Sequence, residues 1–417
     1  MGQRLALTVA LAVVGIGGST GQALAANPYP PTAFWQTNGT VRAIAFRGNV
    51  VYVGGEFTSV RPPGAAAGTR AVTRHNVAAF NTKTGAVLKW NPGANGTVRT
   101  IVVTSTRVYL GGSFTTVDGR ARANVAAVSL GGVVSKWNPG ANRSVFVLRL
   151  GPNGQLFAGG DFTKIGGKVR RHLAEIGRSA SAPIAAWGPA IGQITGFACP
   201  PRCSPRVFSI AFSGHRVYFG GHFGLVDGVA RNEAAAVPID NSSQVLAFNP
   251  NIYAAANCPT CTTVETSRVY RIIATSSHIY TCGGYWKVNG TKTSYNVSAF
   301  DPNTGTLQNS LTQQDDGDTP GCMLRAGVLY VGGHFNVAGP GCTPGNLAPC
   351  STRHHVAAFN TTDNTLLPWN PGANSDHGLL VIASGAPGVG FGGYFTRMGG
   401  TDQQGFSFYR STRLPNS

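Results

Sequence analysis

The chain has 417 residues with 33 Lys and Arg against 15 Asp and Glu, and 57 of its positions are glycine. Apolar residues make up 42% of the sequence, enough for a packed core, which sets aside a disordered chain. So much glycine sets aside a long helical bundle, because each interior helical glycine costs about 1 kcal/mol; strands joined by many tight turns suit it better.

Residues 1–25 read as a signal peptide. Arg4 supplies the positive charge, Leu5 to Ile16 the apolar stretch, and Ala23-Leu24-Ala25 the small-x-small exit. An apolar run of about 12 residues is short for the roughly 20 that span a bilayer, so export is expected in place of an anchor. The expected mature unit is a single domain over residues 26–417, secreted or held at the cell surface and not membrane-spanning.

From Val41 onward one pattern recurs. Val41-Arg-Ala-Ile-Ala-Phe, Val51-Tyr-Val-Gly-Gly-Glu-Phe57, Asn76-Val-Ala-Ala-Phe80 and Val87-Leu-Lys-Trp90-Asn-Pro are followed by Val98-Arg-Thr-Ile, Arg107-Val-Tyr-Leu-Gly-Gly-Ser-Phe114, Asn124-Val-Ala-Ala-Val128 and Val133-Val-Ser-Lys-Trp137-Asn-Pro. Short runs of β-branched and aromatic residues between Gly, Asn, Asp and Ser predict successive antiparallel strands, four to a unit. The glycine pair gives the count: Gly54-Gly55, Gly111-Gly112, Gly159-Gly160, Gly220-Gly221, Gly283-Gly284, Gly332-Gly333 and Gly392-Gly393, with Phe57, Phe114, Phe162, Phe223, Trp286, Phe335 and Phe395 two positions on. A glycine pair inside a strand marks a bulge or a close neighbour, here expected to be a large ring of the next sheet. Trp90, Trp137, Trp187, Phe248 and Trp369, at the end of the fourth run, are the candidate rings and are read as core.

The last unit stops after Phe406-Ser-Phe-Tyr-Arg410, one strand short, while Thr32-Ala-Phe-Trp35-Gln-Thr-Asn before the first unit resembles a fourth strand. The expectation is therefore an all-β, seven-bladed β-propeller of four-stranded antiparallel blades, with the N-terminal strand around Trp35 completing the last blade and removing the open edges. A parallel β-helix is the rival, and would want shorter and more uniform coils.

The units resemble the delta-60 repeats of exported bacterial, often actinobacterial, β-propeller proteins. Arg107 to Thr115 with Asn124 to Val128 carry the resemblance, together with Val51 to Thr58 and Val331 to Phe335. It covers nearly all of the mature chain and implies a propeller with no established general catalytic role.

Eight cysteines lie between Cys199 and Cys350, an even number as disulfides in an exported chain require. Sequence order suggests Cys199 with Cys203, Cys258 with Cys261 and Cys342 with Cys350, each closing an insertion, and leaves Cys282 and Cys322 to staple neighbouring units. Cys258-Pro-Thr-Cys261 has redox or zinc spacing, but shows neither helical periodicity nor a second ligand pair.

No hydrolase, phosphate-loop or dinucleotide signature is present. The position after each glycine pair varies (Glu56, Ser113, Asp161, His222, Tyr285, His334 and Tyr394) and can line one face; Glu56 and Asp161, like His222 and His334, stand two units apart. Asp315, Asp316 and Asp318 around Gly317 are a candidate calcium loop, without the ordered spacing of a standard one. Basic residues recur before the third strand: Arg70 and Arg74, Arg120 and Arg122, Arg170 and Arg171, Arg231, and Arg353. The formal charge is +18, which removal of Arg4 lowers by one, and such a field draws polyanions. Arg74, Arg122, Arg171, Arg231 and Arg353, with His222 and His334, are therefore the candidate ligand-binding residues. Export favours an anionic polysaccharide, cell-wall polymer or secreted protein partner over nucleic acid. The expected function is a non-catalytic extracellular binding or scaffold module with no cofactor unless calcium is bound; the alternative is a carbohydrate-active enzyme, a glycosidase or lyase, with loop carboxylates at a central channel.

Overall fold

The computed structural model describes residues 29–193, 204–253, 267–285, 287–292, 296–308, 314–315, 317–339, 348–375 and 377–415. The secondary structure of the described residues is strand, apart from a short 3-10 turn at Ser411–Arg413. Seven three-stranded antiparallel sheets follow one another along the chain. The first joins Thr40–Arg47, Val50–Glu56 and Val77–Asn81; the second Thr97–Val103, Arg107–Ser113 and Val125–Ser129; the third Val145–Leu150, Leu156–Gly160 and Leu173–Ile176. The fourth joins Arg206–Ser213, Arg216–His222 and Ala234–Pro238, and the fifth Arg268–Ala274, Ile279–Gly284 and Val297–Phe300. The sixth is Gly321–Arg325, Val328–Gly332 and Val356–Asn360, and the seventh Leu379–Gly385, Gly388–Gly393 and Phe406–Arg410. Seven smaller sheets, built on the hairpins that follow each second strand, alternate with them.

This corrects the expected seven-bladed β-propeller of four-stranded blades. The described residues form an all-β fold of many small antiparallel sheets of two or three strands, none of them closed or curled into a barrel or propeller. The fourth run fails as a strand for a local reason. It makes one bridge, such as Phe80 with Val87 or Val128 with Val134, and then meets Trp-Asn-Pro, where proline has no N–H to donate. The N-terminal segment behaves likewise: Thr32 makes a single bridge to Phe408, while Gln36–Thr37 pairs with Ser59–Arg61 instead.

The glycine pairs have two separate causes. The second glycine faces a register shift in the first strand, as between Val41 and Ala43, where a Cβ on Gly55 would collide with the Thr40 carbonyl. The first meets the neighbouring sheet: a Cβ on Gly54 would lie 2.7 Å from Val98 Cγ1, one on Gly159 2.7 Å from Val207, and one on Gly392 2.7 Å from Val41. The neighbour is thus a valine of a first strand and not the expected tryptophan. The tryptophans lie elsewhere in the same core. Trp90 meets Tyr52 edge-on at 5.1 Å, Trp137 meets Tyr109 at 5.1 Å and Trp187 meets Phe157 at 4.9 Å. Their indole N–H groups donate to Ser129, Gly177 and Pro238 carbonyls at the end of the following sheet, which satisfies the one polar atom of a buried ring. Trp369 is buried against Tyr330 and Tyr409. Trp35 is only half-buried; Phe34 beside it takes the core place, against Phe80, Phe406 and Phe408.

The fifth unit is read one residue out of frame by the sequence. Cys282 pairs with Arg271 and Gly283 with Val269 across the register shift, so Cys282 stands where Gly54 does and Gly283 where Gly55 does. Tyr285 then takes the buried aromatic place, its N–H donating to Asn296 Oδ1 as that of Phe57 does to Asn76. Gly284, not Tyr285, occupies the variable position, and Trp286 lies outside the described residues. The side chain of Cys282 crosses to the next sheet and is disulfide-bonded to Cys322. Cys350 is disulfide-bonded too; Cys342, Cys199, Cys203, Cys258 and Cys261 lie outside the described residues, as does the expected signal peptide. No helix of the described residues is long and apolar enough to cross a membrane.

Candidate functional site

The first strands of all seven large sheets line one cavity of about 570 Å³. A bulge re-aims the extra side chain it carries, and in six sheets the register shift isolates one such residue: Arg42, Arg99, Phe146, Phe208, Tyr270 and Leu380. Five of these form a continuous arc. Tyr394 Oη is 2.6 Å from Arg42, which also holds Glu56 at 2.9 Å, and Glu56 in turn accepts from Thr97 Oγ1 at 3.0 Å. The Arg99 guanidinium donates to Ser113 Oγ and lies 5.4 Å over the Phe146 ring. Phe146 is 5.2 Å from Phe208, and Phe208 is 5.6 Å from Tyr270. All three rings are half-exposed. A run of half-exposed aromatic rings beginning at an arginine offers stacking and cation attraction side by side.

Carboxylates border the same arc singly. Burial pushes Asp161 up, opposed by Arg206, Arg143 and Arg99. Burial likewise raises Asp318, opposed by His334, by Arg268 and by its hydrogen bond with Tyr270. Glu56, in the first sheet, and Asp161, in the third, are not joined by any hydrogen bond.

The basic residues before the third strand are placed differently from the expectation of a rim that presents charge. Arg74 donates from Nη1 to Thr73 O and from Nη2 to Leu88 O, both at 2.8 Å. Arg122 does the same to Ala121 and Ser135, Arg231 to Ala230 and Leu246, and Arg353 to Thr352 and Leu367. In the third sheet the residue in this place is Arg170, which reaches Val169 and Ala185; Arg171 beside it is exposed. Each guanidinium fork supplies the next rung that the fourth run lacks, so Arg74, Arg122, Arg231 and Arg353 are structural clamps. Burial lowers the pKa of all four.

The two histidines differ as well. His222 is buried, its Nδ1 3.0 Å from the Ser267 carbonyl and 3.3 Å from Glu233 Oε1. A carbonyl only accepts, so Nδ1 carries the hydrogen. Glu233, wholly buried, also accepts from Ser267 Oγ at 2.8 Å, and burial raises its carboxyl. A serine that donates to a glutamate is not poised by a histidine base, so this cluster lacks the hydrogen bond of a nucleophile pair. His334 is exposed and lies parallel to His355 at 6.4 Å. For the calcium expectation, Asp316 and the side chain of Asp315 lie outside the described residues. Among the described residues no group of three or more His, Cys, Asp or Glu could hold a metal ion.

The backbone is similar to solved structures of low identity. One chain of a crystal structure of the Mitotic Checkpoint Complex matches with a TM-score of 0.56 at 12% identity, over 98% of this chain and 98% of that one. The WD40 beta propeller domain of Doa1 matches with a TM-score of 0.50 at 9% identity, over 92% of this chain and 99% of that domain. At such identities the likeness concerns fold alone and assigns no ligand. No family model matches the sequence, and no curated protein matches it. The resemblance to delta-60 repeats therefore rests on its own motif residues.

Sequence reasoning missed the arc because its residues share no chemistry: Arg42, Arg99, Phe146, Phe208 and Tyr270 align only once the register shift is known. The signal was nevertheless present, as the residue directly after the first valine of each of the first five units.

Proposed function

We propose that this chain is a secreted, non-catalytic binding module for an anionic polysaccharide of the cell wall or cell surface. The observation that supports this reading best is the arc, where half-exposed Phe146, Phe208 and Tyr270 continue from Arg99 and Arg42, the two arginines that also line the cavity. Sugar rings stack on aromatic faces, and acidic substituents pair with guanidinium groups. The excess of 33 basic over 15 acidic residues adds a long-range attraction that salt screens within about 10 Å. The exposed Lys164, Lys168 and Arg171 of the third unit extend that field.

The test is retention of the protein on purified anionic cell-wall polymer at low and moderate salt. Wild type is expected to be held at low salt and released progressively, with Phe208→Ala and Arg99→Gln each weakening retention. No retention at either salt would overturn the proposal. Release of new reducing ends from the polymer would replace it with the glycosidase reading, for which Asp161 and Asp318 are the carboxyls to examine.

A further inference from the structure

Two further arginines that the arc does not use line the same cavity. Arg149, paired in register with Phe157, and Arg271, paired with Cys282, line the cavity together with Arg42 and Arg99. No carboxylate is among the described lining residues. Arg42 is held by Glu56 and Tyr394, and Arg99 by Ser113 and Phe146. The guanidinium groups of Arg149 and Arg271 make no hydrogen bond or ion pair with any described residue.

A guanidinium that lines a cavity with no protein acceptor has only the cavity's contents to pair with, and a second positive charge nearby favours an anion there. Arg149 is exposed to the cavity and Arg271 half-exposed, with the first strands of all seven large sheets around them. Burial first, and repulsion from Arg149 second, bring Arg271 down to about 10, which leaves it charged at neutral pH. Ten planar donors thus belong to one cavity whose described lining supplies no negative partner. Residues that served only to pack this cavity would be apolar, as Ala43, Ile101 and Val147 are at neighbouring positions.

We infer that Arg149 and Arg271 form an internal oxyanion site, taking a phosphate or sulfate group between their guanidinium forks. The fork geometry suits a tetrahedral oxyanion, which accepts two parallel hydrogen bonds from each arginine. The site is separate from the aromatic arc and stands or falls independently of polysaccharide binding.

The experiment is a thermal-stability and calorimetric titration of the mature protein with inorganic phosphate and, separately, inorganic sulfate. Sodium chloride at matched ionic strength is the control. Phosphate or sulfate is expected to raise Tm beyond chloride. Arg149→Gln and Arg271→Gln are each expected to weaken phosphate binding by about tenfold or more, the equivalent of one lost charge-assisted pair. In chloride both variants should melt at or above the wild-type temperature, because each removes a like-charge contact. Arg149→Lys, which keeps the charge and loses the fork, should fall between them. Phe208→Ala should leave phosphate binding unchanged, which separates this site from the arc. No phosphate- or sulfate-specific shift in wild type, or unchanged affinity in the glutamine variants, would overturn the inference.

Discussion

Cys282 is bonded to Cys322 across the boundary between the fifth and sixth sheets, at the contact where Gly54 lies against Val98 and Ile101 between the first and second. One covalent link therefore replaces a packing contact that the other boundaries make with glycine and aliphatic side chains.

Reduction of this link is expected to lower stability by about 2–4 kcal/mol, the usual range for closing a loop of this size. Cys282→Ser should show the loss in denaturant unfolding. The double substitution Cys282→Gly with Cys322→Ile should recover part of it, because it rebuilds the glycine contact used elsewhere. If the double variant is no more stable than Cys282→Ser, the equivalence of the two contacts is wrong.

Arg170 and Arg171 are adjacent in sequence and opposite in role. Arg170→Ala removes hydrogen bonds to the Val169 and Ala185 carbonyls, and a lost charged hydrogen bond of this kind costs about 1.5–3 kcal/mol. Arg171→Ala should change stability by less than about 0.5 kcal/mol, as surface substitutions do, while weakening retention on an anionic polymer. Thermal melts of the two variants side by side decide it; equal losses would remove the distinction.

His172 sits in a left-handed backbone conformation with φ 72° and is buried. Burial pulls its pKa from 6.5 to about 4, with a smaller opposing effect from the nearby Gly160 backbone and further lowering by Arg143, Arg171 and Arg206. The folded protein thus keeps this ring neutral while the unfolded chain protonates it. Stability is lost as pH falls from 6.5 toward 4, by roughly 3 kcal/mol for this group, and changes no further below that window. The raised carboxyls of Asp161, Glu233 and Asp318 act in the opposite sense, so the difference between variants is the clean readout. His172→Asn, with the residue that holds the same place at Asn76 and Asn124, should flatten the stability profile between those pH values. Parallel profiles for the two proteins would contradict the assignment.

Much of the strand order was legible because the runs around each glycine pair alternate β-branched, aromatic and small residues. Three features were not legible, each for a physical reason. The fourth run carries strand-like residues from Val87 to Trp90, but its pairing ends at the following Asn-Pro, and the side chain of Arg74, not a backbone N–H, takes the Leu88 carbonyl. The frame of the fifth unit is hidden because two glycines, Gly283 and Gly284, follow Cys282, and only the register with Val269 and Arg271 tells which glycine faces the bulge. The arginines before the third strand looked like a charged rim because a sequence shows charge and not where its hydrogen bonds go. For the candidate site, the basic excess was visible, whereas the side chains that line the cavity come from first strands far apart in the chain, such as those of Arg99 and Arg271.

The seat of the N-terminal segment has a different kind of consequence. Thr32 N–H donates to Phe408 O, Tyr409 Oη to Tyr29 O, and Arg413 to the carbonyls of Pro30 and Pro31. The two extremities of the described chain are thus neighbours, and a short linker could join them. The order in which the sheets are threaded is then a matter of where the backbone happens to be cut. Reopened at the exposed turn of Gly166 and Gly167, a circularly permuted chain would carry the same contacts with Lys168 near its first residue, and the cavity would be none the wiser.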